Sequence, residues 1–74
     1  MKTFAENLTF LRRINKLRQI DLCKVVNKSV STISAWEKET REPEVEDVYN
    51  LARFFGCSME QLWRGSVTDI KAVR

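Results

Sequence analysis

The sequence contains no histidine, two cysteines, one proline and two glycines among its 74 residues. Without histidine, Cys23 and Cys57 cannot supply the four Cys and His ligands of a structural zinc site. A small secreted scaffold would carry more cysteines than this. The absence of histidine also removes the commonest general base and the Ser-His and Cys-His nucleophile pairs. So short a chain encloses little pocket volume, and we expect neither an enzyme nor a bound cofactor or metal.

Long apolar runs are absent as well, since no stretch reaches the roughly 18 residues that would cross a membrane. No basic segment followed by an apolar one opens the chain, so we expect no secretory leader. Apolar residues still make up 43% and charged residues 31% of the sequence, which is typical of a folded domain. We therefore expect a single domain in the cytoplasm, with no membrane partner.

Positive charge is concentrated in the first part of the chain. Residues 1–41 carry a net charge of +5, whereas residues 42–74 carry a net charge of −2. Such a distribution on a small domain indicates that one face meets a polyanion. Chance scatter of solvated charges is the alternative, and charge alone does not decide between the two.

Apolar residues recur at helical spacing in five segments, while strand patterns are weak. The predicted helices cover residues 4–16, 19–26 and 30–38, then one segment that ends before Gly56 and one that begins after Ser58. Side chains suited to helix N-termini precede three of them, namely Thr3, Ser29 and Ser58. The sequence therefore predicts an all-α domain of five helices over residues 1–65. We expect residues 66–74, with apolar Val67, Ile70 and Val73, to fray or to join a dimer contact.

The segment from Gln19 to Glu37 holds two short helices separated by a turn of three to four residues. Asn27 lies where this turn needs left-handed backbone, which Asn tolerates better than most residues. Helices joined so tightly cross steeply, and the second one is presented outward.

A helical wheel places Ile33 and Trp36 of that second helix on its inward side. The opposite side is small and polar with one cation, and it consists of Ser31, Ser34, Ala35 and Lys38. Small side chains suit close approach to another surface, and the major groove of B-DNA, about 12 Å wide, admits one α-helix. An ordinary solvated face is the alternative, which this helix taken alone favours.

The run from about Leu11 to Trp63 resembles the lambda-repressor-like helix-turn-helix family, also known as the Cro/CI or XRE type. The matching features are Gln19, Leu22 with Cys23, the turn Val26 to Ser29, Ser31 to Ser34, Trp36 to Lys38, Arg41 with Pro43, Leu51 to Ser58, and Leu62. The resemblance implies an all-α five-helix domain that binds double-stranded DNA as a transcriptional regulator. It also implies a repressor that acts as a homodimer on a two-fold symmetric operator.

Roles for individual residues follow from the same resemblance. Base contacts are implied for Val30, Ser31 and Ala35, and the wheel adds Ser34 to that face. The resemblance implies a phosphate contact for Gln19. As a separate hypothesis from their charge and hydroxyl groups, we expect phosphate binding also by Arg12, Arg18, Lys28, Ser29, Lys38 and Arg41. The family further implies an ion pair between Arg12 and Glu37, which ties the first helix to the third.

Four positions depart from the family pattern. Asn27 replaces the usual turn glycine, and Cys23 replaces the usual alanine as a small packed residue. Arg18 stands where Ser or Thr often caps the second helix, and Glu39 stands where a glycine usually ends the recognition helix. We expect an acidic side chain at this last position to repel nearby phosphate.

Two other function classes are alternatives to this interpretation. An antitoxin-type interaction module that also binds its own promoter would have the same fold, because fold does not fix function. RNA binding would require exposed aromatic side chains for base stacking, whereas the aromatics of this sequence fall mostly on core-facing arcs.

Overall fold

The computed structural model describes residues 3–70, and within that range the chain is all-helical, with no strand. The five helices are α1 (Phe4–Ile14), α2 (a 3₁₀ turn, Gln19–Leu22, continued by an α-helix, Cys23–Val26), α3 (Val30–Glu37), α4 (Val45–Phe55) and α5 (Met59–Arg64). Helix α1 packs against α3 and α5, and α4 packs against α2 and α5. The predicted number and order of helices are confirmed.

One hydrophobic core lies between these helices. Its most deeply buried side chains are Leu8, Leu11, Leu22, Ile33, Leu51, Phe55, Leu62 and Val67. An aromatic group joins three helices at one end of the core, where the Phe4 ring lies 6.0 Å from that of Trp36 and 5.8 Å from that of Trp63. Edge-on and tilted contacts of this kind stabilise the packing of α1 against α3 and α5.

The three predicted N-caps are present. The Thr3 hydroxyl accepts a hydrogen bond from the Glu6 amide, and the Glu6 carboxylate accepts one in return from the Thr3 amide. Ser29 accepts from the Thr32 amide at the start of α3, and Ser58 accepts from the Gln61 amide at the start of α5. These bonds satisfy amides that have no partner within the helix, so the start of each helix is set locally.

Left-handed residues end several of the helices. Asn27 has a φ of 56° in the turn between α2 and α3, as predicted. Helix α1 ends at Ile14 rather than at residue 16, because Lys16 is left-handed with a φ of 55°. Glu39, with a φ of 62°, follows the end of α3 at Glu37.

The core extends beyond the expected domain boundary at residue 65. Val67 is 1% exposed and belongs to the core, and Ile70 is half-buried against it. The Val67 side chain is therefore enclosed by its own protomer, while the expectation that residues 66–74 fray or join a dimer contact stays a prediction. The predicted role of Val73 lies outside the described residues. Within residues 3–70, no helix combines the length and apolar character needed to span a membrane.

Candidate nucleic-acid interface

Helix α3 has two sharply different faces. Ile33 and Trp36 are 0% and 2% exposed and lie in the core. The outward side consists of Val30 and Ser31, which are exposed, and Ser34 and Ala35, which are half-buried. The orientation of α3 therefore agrees with the helical wheel, and its small polar face is accessible.

A cluster of hydroxyl groups lies at the N-terminal end of α3. The Ser29 Oγ atom lies 2.9 Å from Ser31 Oγ and 3.1 Å from Thr32 Oγ1, in addition to capping the helix. A hydroxyl group has one donor and two acceptor sites, so these short contacts orient the cluster. The N-terminal end of α3 is thus exposed, polar and locally ordered.

The C-terminal end of α3 is held by a network around Glu37. Arg12 donates through Nε and Nη2 to the two carboxylate oxygens of Glu37, over 2.7 and 3.0 Å. Its Nη1 donates to the Leu17 carbonyl, and Gln19 Nε2 donates to Glu37 Oε1 over 3.0 Å. The expected ion pair is therefore present, and it connects α1, the start of α2 and the end of α3.

The electrostatics of Glu37 reflect these contacts. Burial acts to raise the pKa of its carboxyl group, but hydrogen bonds from Arg12 and Gln19, together with the positive charge of Arg12, lower the pKa below its ordinary value. The carboxylate is therefore ionised at neutral pH, and it remains able to accept all three hydrogen bonds.

Lys28 has acidic partners on α4. Its Nζ atom lies 2.7 Å from Asp47 Oδ1 and 3.4 Å from Glu44 Oε1. These contacts, led by the hydrogen bond to Asp47, raise the pKa of Lys28 above its ordinary value. Although its sequence position suggests a phosphate ligand, its charge is already matched within the chain.

Three other cations that were predicted to bind phosphate are exposed, namely Arg18, Lys38 and Arg41. The Arg18 side chain, 80% exposed, reaches Asp21 at 3.2 Å, a surface pair that contributes little to stability. Asp21 also accepts from the Arg18 amide over 2.7 Å, so an acidic side chain closes the start of α2 without a Ser or Thr cap. Among residues 3–70, neither Lys38 nor Arg41 lies within ion-pair distance of an acid.

This geometry is that of a known family. A family model described as helix-turn-helix matches residues 10–62, which is more than half of the chain. The chain belongs to the helix-turn-helix family of the Cro/CI and XRE type. In this helix-turn-helix, α2 is the first helix, Asn27 to Ser29 form the turn, and α3 is the second helix.

Two phage repressors are similar to this chain. Repressor protein C2 of Salmonella phage P22 is 32% identical over 65 residues, which are 88% of this chain and 30% of that protein. The cryptic phage CTXphi transcriptional repressor RstR of Vibrio cholerae is 31% identical over 67 residues, 90% of this chain and 60% of that protein. The chain thus spans less than two thirds of the length of either relative.

A solved helix-turn-helix structure has the same fold. The crystal structure of the P22 c2 repressor protein in complex with synthetic operator 9T, in the presence of Tl+, matches with a TM-score of 0.80 and 32% identity. The match covers 89% of this chain and 100% of that chain.

Two polar residues of the helix-turn-helix domain were not predicted from the sequence. Asp47 is only 2% exposed and pairs with Lys28, although its position indicated nothing beyond an acid in the first turn of α4. Asn7 is 1% exposed, and its Nδ2 donates to the carbonyls of Gln61, Leu62 and Gly65 at the end of α5. For Asn7, the signal available in the sequence was a polar residue among the apolar positions of α1.

Proposed function

We propose that this protein is a sequence-specific repressor of transcription that binds double-stranded DNA by placing α3 in the major groove. The observation that carries the proposal is the separation of faces on α3, with Ile33 and Trp36 in the core and Val30 and Ser31 exposed. The two phage relatives are repressors by name, and the solved neighbour is in complex with an operator, which supports the same role here. The proposal places the protein in the cytoplasm as a binding protein, not an enzyme.

Electrostatic contacts with phosphates supply most of the affinity in this proposal. The exposed cations proposed to make these contacts are Arg18 at the start of α2 and Lys38 and Arg41 after α3. Gln19 is oriented by its hydrogen bond to Glu37, and because its amide nitrogen carries two hydrogens, one remains for a phosphate. Ser29 and the first amides of α3 offer further donors at a helix N-terminus, where anions are favoured. Arg12 positions α3 rather than binding a phosphate, because its guanidinium group is paired with Glu37.

The outward face of α3 reads bases by modest contacts. Val30 and Ala35 provide apolar surface for a thymine methyl group, while Ser31 and Ser34 provide hydroxyl groups for base edges. This face has no Arg, Asn or Gln for bidentate base contacts, each of which would contribute about 1–3 kcal/mol of discrimination.

A second copy of the chain compensates for this limited readout. A homodimer would place two copies of α3 about 34–36 Å apart, on half-sites one helical turn apart. Because Val67 is enclosed by its own protomer, it does not contribute to that contact.

Selection of bound sequences from a random duplex pool tests the proposal. We expect enrichment of a two-fold symmetric motif whose half-sites are centred about 10 bp apart. Recovered sequences should then compete better than unselected duplexes for the labelled motif. A pool that remains random after repeated rounds would contradict a sequence-specific role.

A further inference from the structure

Lys28 lies in the turn of the helix-turn-helix, directly before Ser29, the N-cap of α3. Its ammonium group contacts Asp47 Oδ1 at 2.7 Å and Glu44 Oε1 at 3.4 Å. The Asp47 side chain is 3% exposed, whereas that of Glu44 is 81% exposed. The main partner of Lys28 is therefore a carboxylate that has almost no contact with water.

Asp47 is itself fixed in place. Its other oxygen, Oδ2, accepts a hydrogen bond from the Glu44 amide over 2.9 Å, which closes the first turn of α4. One carboxylate thus binds both the start of α4 and the turn before α3. The Lys28 side chain therefore bridges these two parts of the chain.

This arrangement opposes transfer of Lys28 to a DNA phosphate. If the ammonium left Asp47, a nearly inaccessible carboxylate would remain without its countercharge, which is strongly unfavourable. A phosphate at the surface offers a solvated, salt-screened interaction in exchange. Pairing with Asp47 is therefore favoured over pairing with a DNA phosphate.

We infer that Lys28 is a positioning residue of the DNA interface, whose ammonium group holds the turn before α3 against the first turn of α4 and binds no phosphate. The inference rests on the proposed function. Helix α3 then has an ion pair at each end. Lys28 pairs with Asp47 before its start, and Arg12 pairs with Glu37 at its last residue. Neither ion pair neutralises a DNA phosphate, so neither contributes to counterion release from DNA.

The salt dependence of binding separates a positioning residue from a phosphate ligand. Each phosphate neutralised by a cation contributes about 0.9 to the slope of log K against log salt. We would measure this slope with the duplex enriched from the random pool, for the wild type, Lys28→Met and the double variant Lys28→Met with Asp47→Asn. Lys38→Met is the matched control, because it removes the same charge from an exposed lysine next to α3.

We expect Lys28→Met to weaken binding at every salt concentration with an unchanged slope, and Lys28→Arg to recover the affinity by restoring the pair. Lys38→Met should reduce the slope by about 0.9. The double variant leaves no unpaired carboxylate, so it should fold even if Lys28→Met does not, and it should keep the wild-type slope. A slope reduced in the double variant as much as in Lys38→Met would overturn the inference. A wild-type chain that binds no duplex at any salt concentration would instead refute the proposed function.

Discussion

Arg12 and Glu37 form an ion pair with two hydrogen bonds that joins α1 to the last residue of α3. The Nε–Oε2 distance is 2.7 Å and the Nη2–Oε1 distance is 3.0 Å. The two side chains are 14% and 8% exposed, so neither charge has much access to water. Parallel bonds from a planar guanidinium fix direction as well as distance. The pair therefore fixes the C-terminal end of α3 against α1.

Glu37→Gln should alter how stability depends on pH. Hydrogen bonds from Arg12 and Gln19 outweigh burial and lower the pKa of Glu37 in the folded state. The unfolded chain thus takes up its proton first as pH falls, and the stabilisation present above the ordinary value of 4.5 is lost as pH falls through the folded pKa. At pH 7 we expect the variant to be less stable by about 3 kcal/mol.

Thermal unfolding followed by circular dichroism between about pH 3 and pH 7 measures this effect. The loss of stability in acid should be smaller in Glu37→Gln than in the wild type. Glu60→Gln is the control, since it removes an exposed acid from α5 and should leave the wild-type profile unchanged. Identical acid profiles for Glu37→Gln and the wild type would contradict a lowered pKa of Glu37 in the folded state.

The helices themselves were predictable because local interactions determine them. Caps at Thr3, Ser29 and Ser58 act within three residues, and the inward face of α3 follows from helical spacing alone. Helix ends were predicted less well. Lys16 takes a left-handed conformation that its residue type does not suggest, and this shortens α1.

The candidate site was predictable only in part, because several contacts join residues far apart in the chain. Lys28 and Asp47 are 19 residues apart, and Asn7 reaches carbonyls more than 50 residues away. Sequence spacing carries no information about such pairs until the helices are packed. Lys28, a basic residue in the turn, was therefore predicted to bind phosphate, although in the structure it pairs with the buried carboxylate of Asp47.

Ser31→Ala and Lys38→Ala should have different effects on binding. Ser31 is exposed at the N-terminal end of α3, so its loss should reduce the preference for the selected duplex while random duplex is bound as before. Lys38 follows the helix as an exposed cation, and its loss should weaken binding to all sequences alike. Competition assays with selected and random duplexes measure both effects. Equal losses on the two duplexes for both variants would contradict this division of roles.

Glu39→Gly should stabilise the protein and also strengthen DNA binding. Glu39 has a φ of 62°, a conformation that costs a side-chain-bearing residue about 1–2 kcal/mol and costs glycine very little. Part of this gain is offset by the flexibility of glycine in the unfolded chain, so we expect about 1 kcal/mol from urea unfolding. Removal of an acid close to α3 should raise affinity at low salt.

Glu39→Ala separates these two effects, because alanine removes the charge but keeps the unfavourable backbone conformation. We expect the same increase in affinity as for glycine, without the increase in stability. If alanine stabilised the protein as much as glycine does, charge repulsion rather than backbone strain would be the cause.

Val67→Ala should reduce stability without changing the oligomeric state. The side chain is 1% exposed within the core of its own protomer, so truncation removes apolar contacts worth about 1–2 kcal/mol. Val45→Ala makes the same chemical change at a position that is 76% exposed, and it should alter stability by less than about 0.5 kcal/mol. Urea unfolding measures the stability of both variants, and sedimentation velocity measures their oligomeric state. If Val67→Ala shifted a dimer towards monomer while retaining wild-type stability, its side chain would have to lie between two copies, contrary to its enclosure here.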